Sequence, residues 1–238
     1  MRGALGGGVH RPARSVPKEK CLRYSHFNRS PLVRQLAAWL PAEPEAAPRR
    51  DIGERLGEWL NVADAIALHA AHQSLPAIKT RRRGGKPMDA PAAQAELQRL
   101  RTTLTHSIAA PPIHPVHAAD TEFSPHHQRY LDHQRRMEMA IDAFRGHLRQ
   151  ALSQTSTRLA QLVALDAVVD QMMGGREQKL LAGVPSFLKT RFQQLRKAEP
   201  EGWPPLFEHD FQQTLRAELE LRLQPATGLV EALTQDTN

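Results

Sequence analysis

The sequence predicts an all-α protein, an elongated and mostly antiparallel helical bundle. Between Tyr130 and Lys197, apolar residues recur every three or four positions: Met137, Ile141, Phe144, Leu148 and Leu152, then Leu159, Val163, Val169 and Met173. That spacing puts them on one face of a rod, which has to be covered by other helices. Aromatic residues make up only 5% of the chain, while Ala, Leu, Gln, Arg and Glu abound and β-branched runs are nearly absent, a mixture that favours helix over sheet. A chain of 238 residues is also long enough to bury a substantial core.

Element by element, residues 1–29 contain GGGVHRPARSVPKEK and read as a disordered basic arm. Ser30-Pro31 is a helix start, with proline tolerated in the first turn, and PLVRQLAAWL is a short helix ended by Pro41. After the PAEPEAAP linker, Asp51 and Glu54 form a capping-box-like pair opening a helix to about residue 73, with Ile52, Leu56, Trp59, Leu60, Ala63, Ile66, Ala67 and Ala70 as a wide stripe. Gly53 and Gly57 lie four apart on that side. Residues 74–91 break all periodicity and read as a disordered basic loop. Residues 92–110 are helical through Leu97, Leu100, Leu104 and Ile108, and the proline-dense 111–124 is a linker.

Ser124-Pro125 repeats the earlier start, so the C-terminal bundle runs from 125 to 238, and 30–238 reads as one domain. Its helices are expected over 126–153 and 157–182, with SQTS as turn and cap between them. Gly174-Gly175 would loosen the second of these. Gly183-Val184-Pro185 closes it and opens another helix, 185–198. After EPEGWPP, in which Trp203 can staple the next start, Phe207, Phe211, Leu215, Leu219 and Leu223 recur every fourth residue until Gln224-Pro225 stops the run. Thr227 then caps a last short helix with Leu229, Val230 and Leu233.

The net charge of +7 is unevenly spread. Residues 1–29 hold seven cations and one acid, and 79–86 hold five cations and no acid, so the remainder is net −4. The basic excess thus sits in segments that cannot pack a core, where it can attract polyanions in a salt-dependent way. No run approaches the ~20 apolar residues of a membrane span, which argues against direct membrane insertion. ALGGGV is too short for the apolar centre of a signal peptide. With Cys21 as the single cysteine, a reducing, cytoplasmic setting is the expectation.

Chemistry is sparse. His69 and His72 share a helix side, as do His126, Tyr130, His133 and Met137, but neither set has the carboxylate or thiolate needed to complete a metal site. No Asp or Glu is followed by His three positions on, which argues against a di-iron carboxylate bundle. Asp166 and Asp170 are four apart and Glu177 lies on nearly the same stripe. They could do acid–base work if buried together, but read better as a solvated edge or as partners for Arg158, Arg176 and Lys179. Nucleophile motifs, phosphate-cradling glycine loops and metal-protease motifs are missing. No cofactor and no catalytic residue is expected.

The corner Ala182-Gly183-Val184-Pro185, followed by Lys189, Arg191, Arg196 and Lys197, resembles the turn and reading helix of a DNA-binding motif over 176–197. Against this, Lys179 stands where a small residue is usual, and Phe187, Leu188, Phe192 and Leu195 occupy much of the supposed reading face. A bundle corner is the simpler account.

Several segments, in order, resemble a family of uncharacterised proteobacterial proteins, the domain of unknown function 3348. They are SPLVRQLA (30–37), RLGEWL with ADAIAL (55–68), RRMEMAIDAFRGHLRQAL (135–152), LAQLVALDAVV (159–169), REQKLLAGVPSFLKTRFQQLR (176–196) and AELELRLQPATGLVEAL (217–233). The chain departs from that pattern at Asn61-Val62, where a more aromatic version is expected, and at the unusually basic 79–86. The resemblance implies no activity. It does imply gene neighbourhoods with proton-channel motor proteins of the flagellar-stator or energy-transducer type, hence a cytosolic accessory of a membrane-anchored assembly.

The sequence therefore favours a non-enzymatic interaction or scaffold protein, homo-oligomeric or bound to another protein through its long amphipathic helices, with Trp59, Phe144, Phe187, Phe192 and Phe211 as interface candidates. The alternative is a nucleic-acid-binding protein using Arg81, Arg82, Arg83, Lys189 and Arg191.

Overall fold

In the computed structural model, residues 30–39, 60–80, 88–111 and 122–237 are described. They form seven α-helices: α1 (Pro31–Ala38), α2 (Val62–Ser74), α3 (Ala90–Ala109), α4 (Ser124–Leu152), α5 (Thr157–Leu181), α6 (Val184–Ala198) and α7 (Trp203–Thr237), plus a 3₁₀ turn at Leu75–Ala77. Among the described residues there is no strand. The all-α expectation holds.

α7 is the hub. Its 35 residues make a rod of about 52 Å, and α3, α4, α6, α1 and α5 all pack on it. Its stripe is buried as expected: Phe207, Phe211, Leu215, Leu219 and Leu223 are sealed from solvent, and Trp203 is buried at the helix start. The expected stop at Gln224-Pro225 is not there. The helix runs straight through Pro225, and the stripe continues with Ala226, Leu229, Val230 and Leu233, all buried. Burial on both sides of the proline outweighs its missing N–H and ring clash. Thr227 is accordingly no cap: its hydroxyl donates to the Leu223 carbonyl one turn back at 3.0 Å.

α4 supplies the second half of the core through Tyr130, Met137, Ile141, Phe144, Leu148 and Leu152. α3 adds Ala93, Leu97, Leu104 and Ile108. It starts two residues earlier than the apolar pattern alone places it, because the Asp89 carboxylate accepts from the Ala92 N–H at 2.8 Å and Pro91 is tolerated in the first turn. An aromatic cluster locks the amino-terminal end of α7: Phe192 of α6 meets Trp203 edge-on at 5.0 Å and Phe207 at 5.3 Å between ring centres.

Where helices adjacent in sequence pack on one another, they do so antiparallel. In α3 and α4, Glu96 meets His147 and Ser107 meets Arg136. In α4 and α5, Arg149 meets Asp166 while Glu138 meets Gln178. The central pair is parallel, however: Arg129 meets Glu208, Gln134 meets Glu218, and Arg145 and Arg222 line one groove. The return between them is made jointly by α5 and α6, with the corner at Ala182–Gly183. Gly174-Gly175 does not break α5, which is continuous to Leu181.

α2 differs from every other helix. Asn61 caps it, accepting from the Asp64 N–H, while the Asp64 carboxylate accepts from the Asn61 N–H, each at 2.9 Å. The long helix expected from Asp51 to residue 73 therefore has a helix start inside it, at Asn61. The stretch 51–59 lies outside the described residues. α2 lies antiparallel along α5, tied by Arg176 to Asp64 and by the Gln161 side chain to the Leu75 carbonyl at 2.9 Å. It contributes no buried residue.

Candidate functional site

Two features of the described surface stand out: a charged groove and an uncovered apolar face. The groove opens between α4, α5 and α7, encloses about 500 Å³ and is lined by Arg145, Asp142, Asp170, Glu177, Arg222 and Gly174 among others. Its framework is two pairs at helical spacing. Arg145 and Arg149 on α4 meet Asp166 and Asp170 on α5, each of the two pairs being i, i+4. Arg145 contacts Asp166 and Asp170 at 2.5 Å each, and Arg149 contacts Asp166 at 2.6 Å and Asp170 at 2.9 Å. Each aspartate therefore bridges two guanidiniums in partly desolvated surroundings, where charge-assisted bonds are at their strongest.

The sequence offers Arg158, Arg176 and Lys179 as partners for these aspartates. Arg176 instead holds Asp64, and the partners come from α4. The signal was present in the chain, since Arg145/Arg149 and Asp166/Asp170 share one spacing. Below the groove, Glu218 is fully buried. It accepts from the Tyr130 hydroxyl at 2.7 Å, the Gln134 amide at 2.9 Å and Arg222 Nε at 2.8 Å. Every buried charge needs such satisfaction. Burial raises the pKa of Glu177 against the opposing charges of Arg222 and Arg145. Burial followed by Asp170 and Glu138 raises that of Asp142.

The second feature is α2. Val62 is 78% exposed and Ile66 64% exposed, one turn apart, and Ala63, Ala65, Ala67 and Ala70 are also exposed. On α5, Val169, expected inside the core stripe, is 42% exposed. α5 turns Asp166 and Asp170 toward α4, and its buried apolar residues, Leu159, Ala160 and Leu181, lie toward its two ends.

The residues singled out from sequence are scattered. Phe144, Phe192 and Phe211 lie in the core of this chain and Phe187 is half-buried; Trp59 lies outside the described residues. Arg81, Arg82 and Arg83 lie outside them too. Lys189 is exposed, but Arg191 is held by Asp210 at 2.7 Å and lies over the Trp39 ring. α6 buries Val184, Pro185, Leu188, Phe192 and Leu195, as a bundle helix does. His69 and His72 are exposed, and His126 is packed against Phe192 and Phe207. Among the described residues no three His, Cys, Asp or Glu side chains converge on a point that could hold a metal. Among the same residues, no helix is long and apolar enough to cross a membrane.

No curated protein and no solved structure matches the chain. A family model does, over residues 19–235. It takes in every described helix but for the last residues of α7, and the segments whose order pointed to it form α1, α2 and most of α4 to α7. The chain belongs to the family described as protein of unknown function DUF3348.

Proposed function

We propose that the protein is a non-enzymatic interaction module and that α2 is its docking element. One observation carries this reading: α2 is apolar on nearly all sides and yet buries nothing. A helix of that composition is ordinarily an interior helix. Here α5 covers one side, and the side bearing Val62 and Ile66 is left bare. A partner helix laid along this side would bury two large aliphatic residues, with the surrounding alanines allowing close approach.

The magnitudes define the kind of complex. Burying Val62 and Ile66 contributes about 1.5–3 kcal/mol each, while association costs at least about 4 kcal/mol. α2 is thus one contact of a larger interface, or a contact to a partner held at high local concentration. An accessory bound to a membrane-anchored assembly meets the second condition.

The test is a photo-cross-linking residue placed at position 66 in the full-length chain, in its native cell. A discrete protein adduct, lost when Val62→Asp is added, supports the reading, and an adduct between two copies makes the occupant a second copy. No adduct, or an adduct pattern indistinguishable from that of a cross-linker at exposed Gln193, overturns it.

A further inference from the structure

We propose that the groove between α4, α5 and α7 binds a small zwitterion bearing an extra cation, of the basic amino-acid type, with its carboxylate on Arg222 and its cationic groups on Asp142 and Glu177. The groove carries unspent groups of both signs. Arg145 and Arg149 are committed to Asp166 and Asp170. Arg222 is not: its side chain is nine-tenths buried, Nε is bonded to Glu218, and Nη1 lies 4.0 Å from the Glu177 carboxylate. Among the described residues neither terminal nitrogen has a hydrogen-bond partner. A largely buried guanidinium whose terminal N–H groups face the groove offers the planar fork that carboxylates fit.

The acceptors are equally free. Asp142 and Glu177 accept no hydrogen bond among the described residues, and both line the same groove as Arg222. Burial raises both pKa values, and for Asp142 the charges of Asp170 and Glu138 add to it, a penalty that a bound cation relieves.

Charge then selects among ligands. Four carboxylates (Glu138, Asp142, Asp170 and Glu177) line the groove with the three guanidiniums of Arg145, Arg149 and Arg222, and these guanidiniums are also bonded to Asp166 and Glu218 outside the lining. A simple anion is disfavoured by this negative excess. A bare polyamine finds acceptors but leaves Arg222 unsatisfied. A molecule with one carboxylate and two cationic groups satisfies both. The volume of about 500 Å³ lies in the range of small-molecule sites, and Gly174 leaves its wall open, since a Cβ there would meet nothing within 4 Å.

The test is calorimetric titration of the full-length chain at low salt with L-arginine, agmatine (which lacks the carboxylate) and L-glutamate. L-arginine is expected to bind saturably, agmatine at least tenfold more weakly, and L-glutamate not at all. Arg222→Gln should bring L-arginine down to the level of agmatine, and Asp142→Asn with Glu177→Gln should weaken both. Because Arg222→Gln disturbs buried Glu218, Gly174→Met serves as a second variant. It fills the groove from its open wall, removes a helical glycine, and should abolish binding while leaving the circular-dichroism spectrum unchanged. The proposal is overturned if L-arginine gives no saturable heat up to ~20 mM, if agmatine binds as tightly as L-arginine, or if Gly174→Met binds like the parent.

Discussion

The Tyr130 hydroxyl donates to the Glu218 carboxylate at 2.7 Å across 88 residues of chain, with both side chains sealed from solvent. This bond fixes the register of the parallel pair α4 and α7, because a shift of one residue would leave a buried carboxylate without its donors. Gln134, one turn along α4, completes the constraint from the same side. Burial, then the negative charge of Glu218, pushes the Tyr130 phenol well above its ordinary pKa, so it stays a donor.

Tyr130→Phe should therefore lower stability by about 1.5–3 kcal/mol, the range for a hydrogen bond to a charged group. The urea midpoint should fall with an unchanged slope. The raised phenol pKa means that the folded state holds its proton longer than the unfolded one, so stability should also fall as pH rises above about 10. Tyr130→Phe should lose that alkaline dependence, read by repeating the urea melts between pH 8 and 11.

The arginine–aspartate lattice yields a graded pair of outcomes. Arg145 is almost enclosed, and Arg145→Gln leaves two carboxylates sharing Arg149 alone. Breaking a buried pair of this kind costs about 3–5 kcal/mol. Arg149 is twice as exposed at the side chain, and Arg149→Gln should cost less. Thermal denaturation of the two variants checks the order, and equal losses would count against the lattice as the stabilising unit.

What the sequence made legible follows from how far each signal reaches. The stripe Phe207 to Leu223 is a local pattern, and it became the buried face of the hub helix. Pro225 was misread because propensity is local while the forces that override it, the burial of Ala226, Leu229 and Leu233, are tertiary. Val169 was misplaced for the converse reason: its apolarity is plain, but which face of α5 turns inward is decided by Arg145 and Arg149 on another helix. The groove itself was half visible. Asp166, Asp170 and Glu177 stood out as a stripe, whereas Arg222 and Glu218 enter only because α7 runs parallel to α4, which no local pattern announces.

His133 offers a pH readout away from the groove. Burial, then the cations Arg129 and Arg136, lowers its pKa to about 4. The unfolded chain takes up this proton near pH 6.5, so the stability tied to neutral His133 is complete above that value. It declines as pH falls from about 6.5 toward 4, and the slope ends once both states are protonated. Its imidazole resonance should titrate with a midpoint near 4, and Arg136→Gln should move that midpoint upward. A midpoint at 6.5 would mean that His133 is solvated.

Pro225 and Gly175 test how strongly α7 and α5 are held by their neighbours. In a helix, proline cannot donate to the carbonyl four residues earlier, here that of Leu221, and the cost relative to alanine is about 3 kcal/mol. Proline also restrains the unfolded chain, which offsets about 0.4–1 kcal/mol of that cost. Pro225 is exposed, so Pro225→Ala removes no core contact and should gain about 2 kcal/mol. Gly175 is exposed and a Cβ there would meet nothing within 4 Å, so Gly175→Ala should gain about 0.5–1 kcal/mol. For a chain of this size each kcal/mol raises the melting temperature by about 2–4 °C, and the two gains should add because the sites sit on different helices. A double variant that melts no higher than the parent would mean that the proline is built into the packing rather than merely tolerated by it.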